Sequence, residues 1–180
     1  MKNLPRLLLN FALFQTGWAL CVFAGNLAAL PYTVAALGIH ARWILRTRRE
    51  WQLIAGLAAA GSGWDYLLAT LGLIHFAGTA IALGPLALTL AIPPWLACLW
   101  LLFATTLSHT FAWLHRRLPL AAILAALSAP LTYLGGAALN GSEIPNPWLA
   151  AAAIASGWAI LFPAGLFAAR RIANQATPHA

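Results

Sequence analysis

Apolar residues along this chain form long blocks, and short polar or glycine- and proline-rich stretches separate the blocks. A helix needs about 20 apolar residues to cross the hydrocarbon core of a bilayer, and most of the blocks reach that length. The first block, 7–38, is too long for one crossing. Gly25 and Asn26 lie between its halves, which is typical of a turn. The pattern therefore predicts two spans within this block, at 7–24 and 28–46.

The later blocks predict four more spans, at 52–74, 95–114, 118–137 and 148–169. The whole chain is then an all-α, polytopic membrane bundle of about six helices of spanning length. We expect residues 1–174 to form this single transmembrane domain. We expect residues 175–180 to be a flexible cytoplasmic tail, because the chain after Asn174 is polar and lies at a terminus.

The segment between the third and fourth of these spans, 75–93, is harder to assign. It is apolar but holds several glycines and prolines, so a full helix, a re-entrant segment and an interfacial loop all fit it. The basic groups around Arg49 and Arg116 should lie on the same side of the membrane. An even number of crossings must then separate them. We therefore expect 75–93 to lie in, or dip into, the outer interface.

The composition supports a membrane protein. Hydrophobic residues make up 62% of the 180 residues and charged residues 7%, whereas a soluble domain carries about 25% charged residues. A soluble fold of this size could not cover its surface with so few charges. Lipid must therefore be the solvent for most of the surface.

The ten basic residues fall into four groups that mark one side of the membrane. The groups are Lys2 and Arg6; Arg42, Arg46, Arg48 and Arg49; Arg116 and Arg117; and Arg170 and Arg171. Cytoplasmic loops carry an excess of Lys and Arg, so we expect all four groups and both termini to be cytoplasmic. The net charge of +7 follows from this topology. We expect membrane lipids as partners, and no nucleic acid, because no basic stripe interleaves with aromatic residues.

Asp65 is the sharpest functional candidate, because it lies near the middle of the predicted third span. A carboxylate at that depth costs about 3 kcal/mol unless it is protonated or paired, and such residues commonly mark ligand or proton sites. The alternative is a neutral Asp65 that hydrogen-bonds to a neighbouring helix and holds the register of the bundle.

His109 is the second candidate, and it follows Thr105 and Thr106 in an otherwise apolar predicted span. Thr105 and His109 are four residues apart and would share one face of a helix. By the helical rise, His109 lies about 9 Å and Asp65 about 20 Å from the cytoplasmic edge. A direct Asp65–His109 pair therefore requires the third span to start later than 52. Otherwise we expect His109 to be a satisfied interior histidine.

Other polar and aromatic side chains lie within the predicted spans. The ligand or proton-binding candidates among them are Gln15, Trp18, Trp64 and Tyr133. These side chains would converge with Asp65 on one polar cavity, or they would make separate interhelical hydrogen bonds and pack in the core.

The sequence contains no recognisable metal motif. None of the five histidines pairs with a carboxylate at a ligand spacing on one helix. Cys21 and Cys98 lie inside apolar blocks and are expected to be small packing residues. We predict no metal site and no cofactor.

Three stretches carry a family resemblance: NFALFQTGW at 10–18, WLLFATTLSH at 100–109 and PLTYLGG at 130–136. Together they resemble a family of uncharacterised proteobacterial inner-membrane proteins, domain of unknown function 2878. The resemblance implies a gene neighbourhood of fatty-acid-modifying enzymes similar to cyclopropane-fatty-acid synthases, and hence a lipid-modifying enzyme as partner. It implies that the motif positions are Gln15, Trp18, Asp65, Thr106 and His109.

Three functions fit these observations. The first is a non-enzymatic binding or accessory module for a lipid-like or other apolar ligand, which we favour because the polar cluster lacks a catalytic set. The second is a small proton-coupled transporter that acts as a homodimer, with Asp65 as the titrating group. The third is a membrane-embedded enzyme that uses His109 as an acid or base.

Overall fold

The structure, a computed structural model, describes residues 4–45, 47–83 and 86–176 and is mostly helical. Arg46 and the last part of the predicted tail, 177–180, lie outside the described residues. The elements are helix α1 (Leu4–Ile39) with a short π-helix (His40–Ile44) after it, helix α2 (Arg49–Thr70), strands β1 (Ala80–Leu83) and β2 (Leu86–Thr89), helix α3 (Pro94–Ala104), a 3₁₀ turn (Ala112–Leu114), helix α4 (Leu118–Asn140) and helix α5 (Pro147–Ala176).

The helices have the composition of a membrane protein. Among the described residues, three helical segments are long and apolar enough to cross a membrane: Leu4–Ile44, Leu118–Asn140 and Pro147–Gln175. Helix α3 is apolar but shorter. The predicted helical membrane class is confirmed, while the count of about six crossings and the cytoplasmic position of the termini stay predictions.

Helix α1 folds back on itself at Gly25. The backbone of Gly25 has φ 59° and ψ −149°, a region that essentially only glycine adopts. The Tyr32 hydroxyl, after the turn, donates a hydrogen bond of 2.8 Å to the carbonyl of Leu13, before the turn. In a straight helix these residues would be about 28 Å apart. The predicted division of the first apolar block at Gly25 is therefore confirmed.

The 75–93 segment contains a β-hairpin, so the full-helix alternative is wrong and the all-α prediction needs this addition. Strands β1 and β2 are antiparallel, with Ala80 opposite Thr89 and Leu83 opposite Leu86. The physical reason is the backbone chemistry of the segment, since Gly78 takes a left-handed φ of 80° and each proline inside a helix would remove a backbone hydrogen bond. Whether the hairpin lies in the outer interface stays a prediction.

The predicted span at 95–114 is helical only as far as Ala104, which corrects the proposed helical face shared by Thr105 and His109. The Thr105 hydroxyl donates to the carbonyl of Leu102 and the Thr106 hydroxyl to that of Phe103. Most of the backbone hydrogen bonds that follow join residues three apart, as tight turns do. Threonine hydroxyls that bond back to the preceding turn bend helices, and here they accompany its end.

Small residues let aromatic rings pack close to the helix backbones. A Cβ added to Gly61 would lie 2.2 Å from the Trp100 ring, and one added to Gly157 would lie 2.2 Å from the Trp64 ring. These glycines therefore leave room for aromatic side chains inside the bundle. Both cysteines, Cys21 and Cys98, are buried and free, as expected for packing residues.

One end of the bundle collects several of the arginine groups, and we call it the basic end. It is formed by the end of the π-helix, the starts of α2 and α4 and the end of α5. The Arg49 guanidinium donates to the side-chain carbonyl of Gln175 across this end. The described arginines of these segments are Arg42, Arg48, Arg49, Arg116, Arg117, Arg170 and Arg171.

Candidate functional site

A cleft of about 550 Å³ lies between the first half of α1, helix α3 and helix α4. The volume is in the usual range for a small-molecule site. Most of the wall is apolar or aromatic. The aromatic residues that line it are Phe14, Trp18, Trp100, Phe103, Phe111, Tyr133 and Trp158.

Asp65 lies behind this wall and accepts hydrogen bonds from two of the aromatic side chains that form it. The carboxylate is fully buried. The indole N–H of Trp100 donates to Oδ2 at 2.6 Å, and the hydroxyl of Tyr133 donates to Oδ1 at 2.7 Å. Because the three residues belong to α2, α3 and α4, the carboxylate ties three helices together. Asp65 acts on the cleft by positioning the two rings rather than by lining it.

The aromatic rings of the cleft wall also contact one another, through the ring of Trp158. The indoles of Trp100 and Trp158 are stacked, with centroids 4.7 Å apart and an interplanar angle of 22°. Phe103 and Tyr133 meet the Trp158 ring edge-on at 5.0 and 6.4 Å. Aromatic pairs in these geometries contribute about 0.5–1.5 kcal/mol beyond burial. The wall is therefore a preformed surface.

The mouth of the cleft opens sideways, between α1 and α4. Gln15 and Thr132 are exposed at its rim. Leu131, beside Thr132, is 70% exposed on the outward face of α4. The exposed part of the lining therefore lies on the outward faces of α1 and α4.

The predicted candidates fall into three places. Gln15, Trp18 and Tyr133 line the cleft, and Asp65 supports it. Trp64 packs against Gly157 instead. The other three candidates, Thr105, Thr106 and His109, lie in the turns that follow α3.

The Asp65–His109 pair does not form, because each residue has a different partner. His109 Nε2 is 2.9 Å from Oε2 of Glu50, and Asp65 bonds to Trp100 and Tyr133. Glu50 and Asp65 are fifteen residues apart on one helix, or about 22 Å along its axis. The two ionisable groups therefore serve different ends of the bundle.

Sequence reasoning missed the cluster around His109 at the basic end. Glu50 is only 4% exposed and His40 only 1% exposed, although both are next to arginine-rich sequence. The backbone N–H of Thr47 donates to Oε1 of Glu50 at 3.3 Å. This is one half of a capping box, for which the Thr-x-x-Glu spacing is the sequence signal. That signal could have shown that the Glu50 side chain turns back toward the start of α2.

Comparison with known proteins places the chain in a family but supplies no characterised relative. No curated protein and no solved structure matches it. The model of a family described as a protein of unknown function (DUF2878) matches residues 7–164, and the chain therefore belongs to that family.

Proposed function

We propose that this protein is a non-enzymatic binding module of the bacterial inner membrane that holds one lipid-derived, apolar or amphipathic molecule in the cleft. The observation that carries the proposal is the preformed aromatic cleft of about 550 Å³ with a sideways mouth. Ligand sites are concave and mostly apolar, with a few polar groups that fix orientation.

The direction of the opening selects the class of ligand. A molecule that enters between α1 and α4 comes from the hydrocarbon layer, so its main part must be soluble in lipid. Gln15 and Thr132 at the rim offer an amide and a hydroxyl to a small polar group. An acyl or isoprenoid chain with a short polar end fits both requirements. A lipid-modifying enzyme as partner is consistent with this class of ligand.

The arrangement of Asp65 favours this proposal over a proton-coupled dimeric transporter. Both carboxyl oxygens already accept hydrogen bonds from Trp100 and Tyr133, and the group is fully buried. A proton carrier must exchange protons with water or cargo. Asp65 instead holds the wall, so we assign it a positioning role. His109 is paired with Glu50 at a distance from the cleft, which also weighs against an enzyme acting on a molecule bound there.

The proposal is tested by filling the cleft. Gly135 lines the cleft and has open space where a Cβ would be, so Gly135→Leu projects a side chain into the mouth. The wild-type protein, extracted in mild detergent and examined by native mass spectrometry, should carry a single lipid-like adduct. Gly135→Leu should lose it, and a diazirine-bearing fatty acid in vesicles should stop labelling the cleft.

Gly56→Leu is the matched control. Gly56 is an exposed helical glycine with open space around it, as Gly135 is, and it does not line the cleft. This variant should keep the adduct and the labelling. A wild-type protein without an adduct, or equal labelling of the two leucine variants, would remove the proposal.

A further inference from the structure

Three buried side chains from three separate segments meet at the basic end, outside the cleft. They are His40 of the π-helix, Glu50 of α2 and His109 of the turns after α3. One nitrogen or oxygen atom from each lies within 4.8 Å of the other two. The closest pair is His109 Nε2 and Glu50 Oε2, at 2.9 Å.

His40 supplies a second, independent observation. The side chain is 1% exposed, yet neither ring nitrogen has a hydrogen-bond partner among the described residues. The ring meets His109 at 5.3 Å and Trp51 at 6.1 Å between centroids, edge to face in both cases. Buried polar groups without partners are rare and call for an explanation such as a bound ion.

We propose that His40, Glu50 and His109 form a binding site for a divalent transition-metal ion of the Zn²⁺ type. Two imidazoles and one carboxylate are a known zinc ligand set, in which a fourth position is left to water or to another molecule. Ligand atoms about 2.0–2.1 Å from a tetrahedral ion lie about 3.3 Å from one another. The observed separations, 2.9 Å for one pair and at most 4.8 Å for all, bracket that value.

The surroundings restrict which metal binds. Arg48 and Arg49 precede Glu50 in the chain, and their charge opposes any cation that is held mainly by electrostatic attraction. Mg²⁺ and Ca²⁺ prefer oxygen ligands, and only one of the three side chains here supplies oxygen. Imidazole nitrogen suits Zn²⁺, Cu²⁺, Fe²⁺ and Ni²⁺. The Thr47 N–H on Oε1 orients the carboxylate, as outer partners do at metal sites.

The test uses the full chain with an affinity tag that contains no histidine, in nanodiscs of phosphatidylethanolamine and phosphatidylglycerol. Zn²⁺ binding is measured by competition with a chromogenic chelator and by metal analysis after desalting. Co²⁺ serves as a spectroscopic probe. The wild type should hold one Zn²⁺ per chain, and the visible absorption of bound Co²⁺ should be that of a four-coordinate ion. Mg²⁺ at the same concentration should not compete.

His40→Ala is the decisive variant. The described residues make no hydrogen bond to the His40 ring, so its loss leaves no hydrogen-bond partner unsatisfied. The cavity left by so buried a ring should lower the unfolding temperature of the metal-free protein, and the affinities are therefore compared at a temperature at which both proteins are folded. Its Zn²⁺ affinity should fall at least about 100-fold, since even changes around a ligand cost about 10–100-fold. His109→Ala and Glu50→Gln should show the same loss.

The matched control is the His–Glu pair His75 and Glu143, which lies away from the cluster. His75 Nδ1 and Glu143 Oε2 are 3.9 Å apart, and their side chains are 57% and 82% exposed. His75→Ala and Glu143→Gln should leave the affinity and the Co²⁺ spectrum unchanged. The proposal is overturned if the wild type binds no Zn²⁺, if His40→Ala retains the wild-type affinity, or if the control variants lose as much as His40→Ala. None of these results depends on the cleft or its ligand.

Discussion

Helix α2 carries two buried carboxylates, and the groups that face them differ in kind. Asp65, in the second half of the helix, accepts hydrogen bonds from an indole and a phenol. Glu50, in the first turn, faces the imidazole of His109, with His40 beside it. Indole N–H can only donate, and a phenol does not ionise near neutral pH. An imidazole can bind a proton or a metal ion.

The difference teaches what each end of the bundle is built to do. At Asp65 the partners are fixed, so the carboxylate locks two aromatic rings into a wall that is ready before any ligand arrives. At Glu50 the neighbouring groups are imidazoles, which can bind either a proton or a metal ion. The carboxylate there therefore belongs to a cluster that can take up an ion. Variants that disturb one end should therefore leave the other end intact. Four substitutions test this expectation, with effects on the free energy of unfolding that decrease from the first to the last.

The largest effect is expected from Gly61→Ala. The new Cβ would lie 2.2–2.3 Å from three carbons of the Trp100 ring, so the ring must move away from both Asp65 and Trp158. Overpacking of this kind costs about 1–3 kcal/mol, and we expect the upper end of that range. Reversible unfolding in detergent measures the loss. Lipid retention should fall with it, while Zn²⁺ affinity in the folded fraction should not change.

Gly63→Ala is the control for this change. The position is two residues further along the same helix, and an added Cβ there meets nothing within 4 Å. Helix propensity predicts a gain of about 1 kcal/mol at most. Equal destabilisation by the two alanines would show that the contact between Gly61 and Trp100 does not matter.

The second change is Asp65→Leu, compared with Asp65→Asn. Leucine leaves the Trp100 N–H and the Tyr133 hydroxyl without an acceptor, at a cost of about 1–3 kcal/mol for each buried group. The loss of a carboxylate that is costly to bury offsets part of this sum, so we expect a net effect below that of Gly61→Ala. Asparagine keeps an oxygen for Trp100 and an amide N–H₂ that can donate to Tyr133, so its effect should be about half as large. The same unfolding assay ranks them. If asparagine destabilises as much as leucine, the negative charge itself matters, and the positioning role is too simple.

Some of this architecture could be predicted from the sequence because it depends on local chemistry. The turn at Gly25 follows from the backbone freedom of glycine within an overlong apolar block. Asp65 and Tyr133 stand out because polar groups are costly inside a membrane. What could not be predicted is which partners they find. Trp100 is 35 residues from Asp65 in the chain, and no helical period links residues that far apart.

The errors have the same origin. Glu50 lies between arginines and a tryptophan, which is typical of an interfacial loop, but its side chain contacts His109, 59 residues away, inside the bundle. The end of α3 at Ala104 depends in part on Asn10, whose amide donates to the carbonyl of Thr105 at 3.2 Å. The sequence turns polar from Thr105 to Thr110, but polar residues within a predicted span do not by themselves show that the helix ends there. Contacts between distant segments therefore decide both the site at the basic end and the turns that supply His109.

The third change is Glu50→Gln, at the start of α2. It tests whether a change at the basic end affects the cleft. The glutamine can still accept from Thr47, since Gln replaces Glu in capping boxes. The charge that faces His109 is lost, and we expect a cost of about 1 kcal/mol, the net value of one hydrogen bond. Lipid retention and the near-ultraviolet dichroism of the cleft aromatics should stay at wild-type values. A change in either would mean that the two ends are coupled.

The smallest effect is expected from Tyr133→Phe. The substitution removes only the hydroxyl, so Oδ1 of Asp65 loses one donor while Trp100 still holds Oδ2. Interhelical hydrogen bonds in membranes contribute about 0.6 kcal/mol on average, and the phenyl ring keeps the cleft wall in shape. Lipid retention should therefore persist at a slightly lower unfolding free energy. If Tyr133→Phe instead abolishes the adduct without lowering stability, the hydroxyl contacts the bound molecule directly, and the polar end of that molecule lies deep in the cleft rather than at the rim with Gln15.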